Sequence, residues 1–198
     1  MDKRIFFDDL ASRWDTFEPF NIVVDRITEK LVEFSIAPSE KVLDVGCGTG
    51  NLSLALLRTL GSNGKIVAVD LSQTMIDTAK TKTTDNRIDW ITSYIENFNS
   101  EFFFDRIICY SVWPHFENRT RIAYHLNSLL KQGGYLHIWH TISKEKVNSI
   151  HAMAHESVMH DTLNSTEIES SYLAESGFEI VNVIDDDSGY LITAVKIK

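Results

Sequence analysis

The stretch VLDVGCGTGN, residues 42–51, sets glycines at 46, 48 and 50 directly behind a run of strand-forming residues. Glycine reaches positive φ and lets a ligand approach the backbone. A following helix offers unpaired N–H groups, so such a loop suits a polar or anionic ligand end. The spacing is G-x-G-x-G. A dinucleotide fingerprint requires glycine at 51, where Asn51 stands, and no G-K-[ST] follows to make a Walker loop. Asp70 comes about twenty residues later, at the end of the next strand-like run, where a carboxylate can accept from both hydroxyls of an unphosphorylated ribose.

Histidine supplies the second set of chemical groups. His115 follows a strand-like run in YSVWPHF, His140 closes another, and His151, His155 and His160 fall in SIHAMAHESVMHD. Imidazole serves as general base, substrate anchor or metal ligand. His151 and His155 are i and i+4, a common spacing for two ligands on one helical face, and Glu156 and Asp161 stand nearby. HESVMH is one residue too long for H-E-x-x-H. Three readings stay open: packing at a sheet edge, a histidine acting as base or anchor, and a bound divalent metal. His125, on an amphipathic helix, and His137, mid-strand, read as structural. Asp185 to Asp187 read as solvated turn residues.

The elements that must position these groups follow from periodicity. Strand-like runs occupy 41–46, 65–70, 88–92, 104–110 and 135–141. Helical patterns lie at 51–60, 72–82 and 117–131, with Ser72 as an N-cap and Gly133 and Gly134 ending the helix that reaches Lys131. Strand alternating with helix predicts a parallel sheet covered on both faces. Runs at 178–187 and 189–198, joined by a turn around Asp187, Ser188 and Gly189, predict a closing antiparallel hairpin after a helix at 165–177. The predicted fold is therefore α/β, a doubly wound, mostly parallel sheet of seven strands. In such sheets ligands bind beyond the carboxyl ends of the strands.

A chain of 198 residues predicts one domain. Residues 1–30 read as an N-terminal cap carrying Phe7, Trp14 and Phe17, and about 142–165 as a substrate-side insertion. The cap is read two ways, as a cover that closes on ligand or as a helix docked through its aromatics. The net charge of −9 gives no general attraction for phosphate backbones, which argues against a nucleic-acid partner. Two distant cysteines, no export signal and no apolar run of membrane-spanning length predict a cytoplasmic protein with no membrane partner.

Taken together, LDVGCGTGN, VAVDLSQTMIDTAK, FDRIICYSV, LLKQGGYLHIWH and the closing hairpin resemble the class I S-adenosylmethionine-dependent methyltransferases over residues 30–197. The resemblance implies that Asp44 and the backbone of Gly46, Cys47, Gly48 and Gly50 hold the methionine end of S-adenosylmethionine. It places Asp70 on the ribose and Leu71 against the adenine. Where many relatives carry an acidic residue for the adenine amino group, this chain has Tyr94, followed by Ile95. Cys109 on the fourth strand joins the same expected cofactor set, and S-adenosylhomocysteine is the implied product.

On the acceptor side, His115, His140 and His151 are the expected catalytic residues and a small molecule the expected acceptor. YSVWPHF with a histidine-bearing insertion also resembles small methyltransferases of which some accompany corrinoid proteins, so a metal-linked or protein acceptor stays open. A non-catalytic S-adenosylmethionine-binding regulator is the competing class. Asn51 and the hairpin argue against a nicotinamide oxidoreductase. The oligomeric state is not legible.

Overall fold

In a computed structural model, which describes residues 3–197, the chain divides into two compact units, residues up to Phe98 and residues from Asn99 on. Met1, Asp2 and Lys198 of the expected cap and hairpin lie outside the described residues. The strands form one seven-stranded sheet in the order β3-β2-β1-β4-β5-β7-β6.

The first unit is built on β1 (Lys41–Val45), β2 (Lys65–Asp70) and β3 (Ile88–Thr92), paired in parallel with Asp44 opposite Ala68 and Asp70 opposite Thr92. After their first residues β1 and β2 are buried throughout, as strands covered on both faces require, which is why KVLDV and KIVAVD read as continuous apolar runs. Helix α3 (Asn51–Thr59) follows the glycine loop, and α4 (Gln73–Lys80) starts at the predicted cap, where Ser72 Oγ accepts from Met75 N at 3.1 Å. Ahead of β1, α1 (Lys3–Trp14) packs on α4, and α2 (Phe20–Leu31) packs on α3 through Val24, Ile27 and Leu31.

The second unit begins with β4 (Phe104–Tyr110), parallel to β5 (Leu130–His140). Between them α5 (Arg119–Leu129) is capped by Asn118, whose side chain accepts from Arg121 N at 2.9 Å. This helix stops two residues short of the predicted Lys131. Leu130 turns extended and pairs with Phe104, and the register then jumps so that Arg106 meets Tyr135. Gly133, at φ 74°, and Gly134 therefore sit inside an irregular strand start and do not end the helix. A Cβ on Gly134 would lie 2.9 Å from the Lys131 carbonyl and 3.1 Å from that of Asp105.

Helix α6 (Lys144–Ala152) opens the segment after β5, and α7 (Thr166–Glu175) leads through Gly177, at φ 89°, into β6 (Phe178–Asp186). The last strand, β7 (Gly189–Lys196), runs antiparallel to both β5 and β6, giving the predicted closing hairpin. Asp186 Oδ1 accepts from Ser188 N at 2.7 Å inside the turn, and Asp185 Oδ1 accepts from Lys144 N at 3.1 Å, so these aspartates shape the turn and hold its neighbour.

Candidate active site

The glycine loop leaves β1 with Gly46 at φ 67°, Gly48 at φ 52° and Gly50 at φ 88°. The second and third of these glycines face opposite constraints. A Cβ on Gly48 would meet nothing within 4 Å, whereas one on Gly50 would lie 2.7 Å from Trp90 Cη2 and 3.1 Å from Ala79 Cβ. Gly48 thus borders open space, and Gly50 lets the start of α3 lie against α4 and β3.

Two carboxylates frame this loop. Asp44 is 1% exposed and its Oδ2 accepts from Ser53 Oγ at 2.7 Å, so α3 orients the acid of β1. Burial, with a smaller push from Asp70, raises its pKa to about 7. A cationic group placed beside Asp44 would reverse that penalty, and an ammonium is such a group. At the end of β2, Asp70 accepts from Gly48 N and Ser72 N, both at 2.8 Å. Burial raises its pKa too, opposed by those backbone hydrogen bonds. Each Asp70 oxygen thus spends one lone pair on the fold and keeps capacity for a ligand hydroxyl. Leu71 is half-buried, Ile95 is buried and Tyr94 is exposed, the last two at the start of a single 3₁₀ turn after β3. Cys47 is buried in the loop and burial pushes its thiol up, which makes it an inert packing group. These residues fit an ammonium, a ribose and a flat apolar ring together.

The expected cap is a docked helix. Asp15, just past α1, sits 2.8 Å from Thr49 Oγ1 as an acceptor and 2.7 Å from Lys82 Nζ, and Asn51 Oδ1 accepts from the same lysine at 3.3 Å. Asp8 accepts from Ser72 Oγ at 2.5 Å and from Thr74 N at 3.4 Å. The middle of α1 is thereby tied to the α4 N-terminus and its C-terminal end to the glycine loop and Lys82. The aromatics are not the only anchor: Phe17 is 72% exposed, with its ring 6.4 Å from that of Trp14. Neither aspartate is marked by a motif, so the sequence did not single them out.

In the second unit β4 ends at Tyr110, and Ser111 adopts φ 55°, a left-handed conformation that a serine enters at a cost. That turn delivers the 3₁₀ segment Trp113–His115. Trp113 is fully buried and its Nε1 donates to Glu169 Oε2 at 2.9 Å. Glu169 is itself 0% exposed and also accepts from Arg119 and from Asn164 Nδ2 at 3.0 Å. Arg119 donates as well to the Thr162 carbonyl. This buried network pins the chain around 162–169 onto the loop after β4.

His115 Nδ1 lies 2.7 Å from Asp161 Oδ2. A carboxylate can only accept, so Nδ1 carries the proton. His151, near the end of α6, donates from Nδ1 to the backbone carbonyl of the same Asp161, and its ring lies 5.0 Å from that of His115, tilted by 33°. His140 is buried beside Tyr190, at 6.1 Å between rings, and its Nε2 makes no hydrogen bond among the described residues. Burial pushes its pKa down to about 3, with further lowering from His115, His151 and Arg119, so it stays neutral. The three expected catalytic histidines do come together, and Asp161 joins two of them.

Other histidines part from the sequence expectation. Helix α6 ends at Ala152, so His155 leaves the helical face it was expected to share with His151. It is exposed and engages Ser157. His160 is exposed as well. Among the described residues no three His, Cys, Asp or Glu side chains are grouped so as to hold a metal ion. Mid-strand His137 is structural as expected, lying 2.6 Å from Arg106 and 3.0 Å from Thr193 Oγ1, with burial holding it neutral. Cys109, on β4, is fully buried and opposite Ile138.

A family model described as a methyltransferase domain matches residues 42–134, the segment that holds the glycine loop, Asp70 and β4. Residues 42–134 belong to that methyltransferase family, and the seven-stranded sheet has the class I S-adenosylmethionine-dependent methyltransferase fold. The chain is 32% identical over 138 residues to malonyl-acyl-carrier-protein O-methyltransferase 1 of Ilyobacter polytropus, covering 68% of this chain and 51% of that one. It is also 32% identical over 126 residues to a ubiquinone biosynthesis O-methyltransferase of Rickettsia felis, covering 63% and 49%. The chain spans about half the length of these curated relatives. Its fold matches a methyltransferase from Aquifex aeolicus with a TM-score of 0.76 at 17% identity, over 96% of this chain and 98% of that one. The hairpin in which β7 lies between β5 and β6 belongs to this shared architecture. No helix among the described residues is long and apolar enough to cross a membrane.

Proposed function

We propose that this chain is an enzyme that binds S-adenosylmethionine in its first unit and transfers the methyl group to a small-molecule acceptor. The observation that carries the reading is the pairing of Asp44 and Asp70 around a loop whose Gly48 borders open space. Asp44 suits the ammonium of the methionine end, Gly46 to Gly50 its close approach, Asp70 the ribose hydroxyls, and Leu71, Tyr94 and Ile95 the adenine. When bound, the cofactor supplies an electrophilic methyl on a sulfonium. The protein's contribution is then to align the acceptor, exclude water and remove a proton where the acceptor is weakly acidic.

The histidine cluster of the second unit is the acceptor-side machinery in this reading, with residues 142–165 as the segment that completes it. The names of the curated relatives refer to a carrier-borne malonyl group and to ubiquinone biosynthesis, which supports testing both free and carrier-borne small acceptors. Calorimetry with S-adenosylmethionine and S-adenosylhomocysteine tests the cofactor assignment, and binding of nicotinamide dinucleotide instead would end it. A non-catalytic, cofactor-sensing role is the outcome if binding is tight but no labelled methyl group reaches any acceptor in a cell extract. His115→Ala and His140→Ala are expected to reduce turnover while sparing cofactor affinity.

A further inference from the structure

We infer that Asp15 and Lys82 are a positioning pair for the cofactor loop, holding it through the side chains of Thr49 and Asn51, so that docking of α1 and binding of the adenosyl cofactor strengthen each other. This rests on the methyltransferase reading above and adds to it a regulation of the same site.

The two halves of the glycine loop are anchored differently. In the first half Gly46 N and Cys47 N donate to the Val69 carbonyl at 2.8 and 3.1 Å, and Gly48 N donates to Asp70, so β2 holds it. In the second half Gly50 N closes a turn on the Cys47 carbonyl at 2.9 Å, and Thr49 stands between two glycines with positive φ, where the backbone is least restrained. Side chains take over there. Asp15 Oδ1 accepts from Thr49 Oγ1 at 2.8 Å, and Asp15 Oδ2 meets Lys82 Nζ at 2.7 Å. Asn51 bridges the two charges, accepting from Lys82 at 3.3 Å and donating to Asp15 at 3.5 Å. Asp15, Lys82 and Asn51 therefore close a ring, and Thr49 hangs from it. Asn51 stands where a dinucleotide fingerprint requires glycine, and its amide is what joins the ring.

The pair is largely removed from water, with the Lys82 side chain 11% exposed and that of Asp15 23%. Lys82 Nζ also lies 5.3 Å from the centre of the Phe20 ring, at the start of α2. Burial lowers the Lys82 pKa and Asp15 opposes that shift, so removing the acid leaves a poorly solvated cation beside the loop.

Asp15 in turn depends on α1. It follows Trp14 directly, in a turn where Thr16 N donates to the Arg13 carbonyl at 2.9 Å. Among the residues of α1 only Ala11 is buried, so the helix lacks a deep apolar anchor. Its polar contacts, through Asp15 and through Asp8 to Ser72 and Thr74, then weigh heavily in its docking. A ligand that orders the glycine loop orders the partners of Asp15, and by linkage a docked α1 favours the ligand by the same factor.

The test combines calorimetry with S-adenosylhomocysteine and amide hydrogen exchange in α1. In the wild type the saturating ligand is expected to slow exchange of the α1 amides by about tenfold or more. Lys82→Met and Asp15→Asn are each expected to weaken binding by about tenfold, and the double variant by no more than the worse single one, because both remove one shared interaction. Asp25→Asn removes the exposed Arg58–Asp25 pair and serves as the control, with affinity unchanged. Affinity within about twofold of the wild type in both single variants overturns the proposal, and so do losses that add in the double variant. Exchange in α1 that the ligand leaves unchanged overturns it as well, as does an equal loss in Asp25→Asn, which would mark a general response to lowered stability. Thr49→Val repeats the affinity test should the charge variants misfold, and the wild-type exchange measurement needs no variant. A wild type that binds neither S-adenosylmethionine nor S-adenosylhomocysteine strikes the methyltransferase reading, and this inference with it.

Discussion

The two units use the same chemical group, a carboxylate, in different settings, fully buried at Asp44 and half-buried at Asp161. In the first, Asp44 and Asp70 are tied to the fold by Ser53, Gly48 and Ser72, and burial holds back the ionisation of both. In the second, Asp161 meets two imidazoles, His115 through its carboxylate and His151 through its backbone carbonyl. In the proposed function, ligand binding and proton transfer fall to separate segments of the chain. Glycines and strand ends serve the first, where position must be exact. A 3₁₀ turn and a helix-bearing segment after β5 serve the second, where the acceptor's shape must be met.

That division can be broken experimentally, beginning with the backbone. Gly50→Ala is expected to destabilise the fold by about 2 to 4 kcal/mol, since it combines a left-handed φ with a clash against Trp90, and thermal or urea unfolding measures it. Asp70→Ala is expected to weaken cofactor binding by about 1 to 3 kcal/mol in calorimetry, the scale of a lost charged hydrogen-bond partner. His115→Gln should leave that affinity unchanged. Equal losses in the two variants would erase the distinction between the units.

A third measurement concerns pH. With the Asp44 pKa raised from 3.8 to about 7, the folded protein binds a proton that the unfolded chain has released. The stability Asp44 contributes is therefore complete below about pH 4 and lost as pH rises to about 7. Asp44→Asn should flatten the slope of apo-protein melting temperature over that window, and saturating S-adenosylmethionine should reduce it in the wild type. An unchanged slope would separate Asp44 from the ammonium site. The smallest effect is expected at Ser111, where Ser111→Gly relieves the left-handed strain and stabilises by no more than about 1 kcal/mol.

Much of the first unit was legible in the chain because its chemistry is carried by residues close in sequence to strand ends. The glycine spacing, Asp44, Asp70 and the Ser72 cap all obey local rules, and the structure places each of those elements where the rules put it. The second unit was legible only in part. His115, His140 and His151 stood out by residue type, but the i,i+4 pairing of His151 with His155 dissolved because α6 ends at Ala152. The strand start at Leu130 was hidden by Gly133 and Gly134, which look like a helix stop and instead permit a tight approach to the Lys131 and Asp105 carbonyls. The docking of α1 through Asp8 and Asp15 had no local signal at all, since acidic residues on a helix face ordinarily read as solvated.

The sequence by itself determined the alternation of strand and helix, the closing hairpin, and the glycine loop between β1 and α3, because periodicity, caps and glycines act over a few residues. Tertiary structure alone decided which of the histidines come together and which acid they meet. Asp161 reaches His115 across 46 positions of chain and Glu169 reaches Trp113 across 56, and both pairings arise from how α6, α7 and the loop after β4 pack. Contacts at such separations are fixed by the burial and hydrogen bonding of the whole unit, and no spacing rule along the chain encodes them.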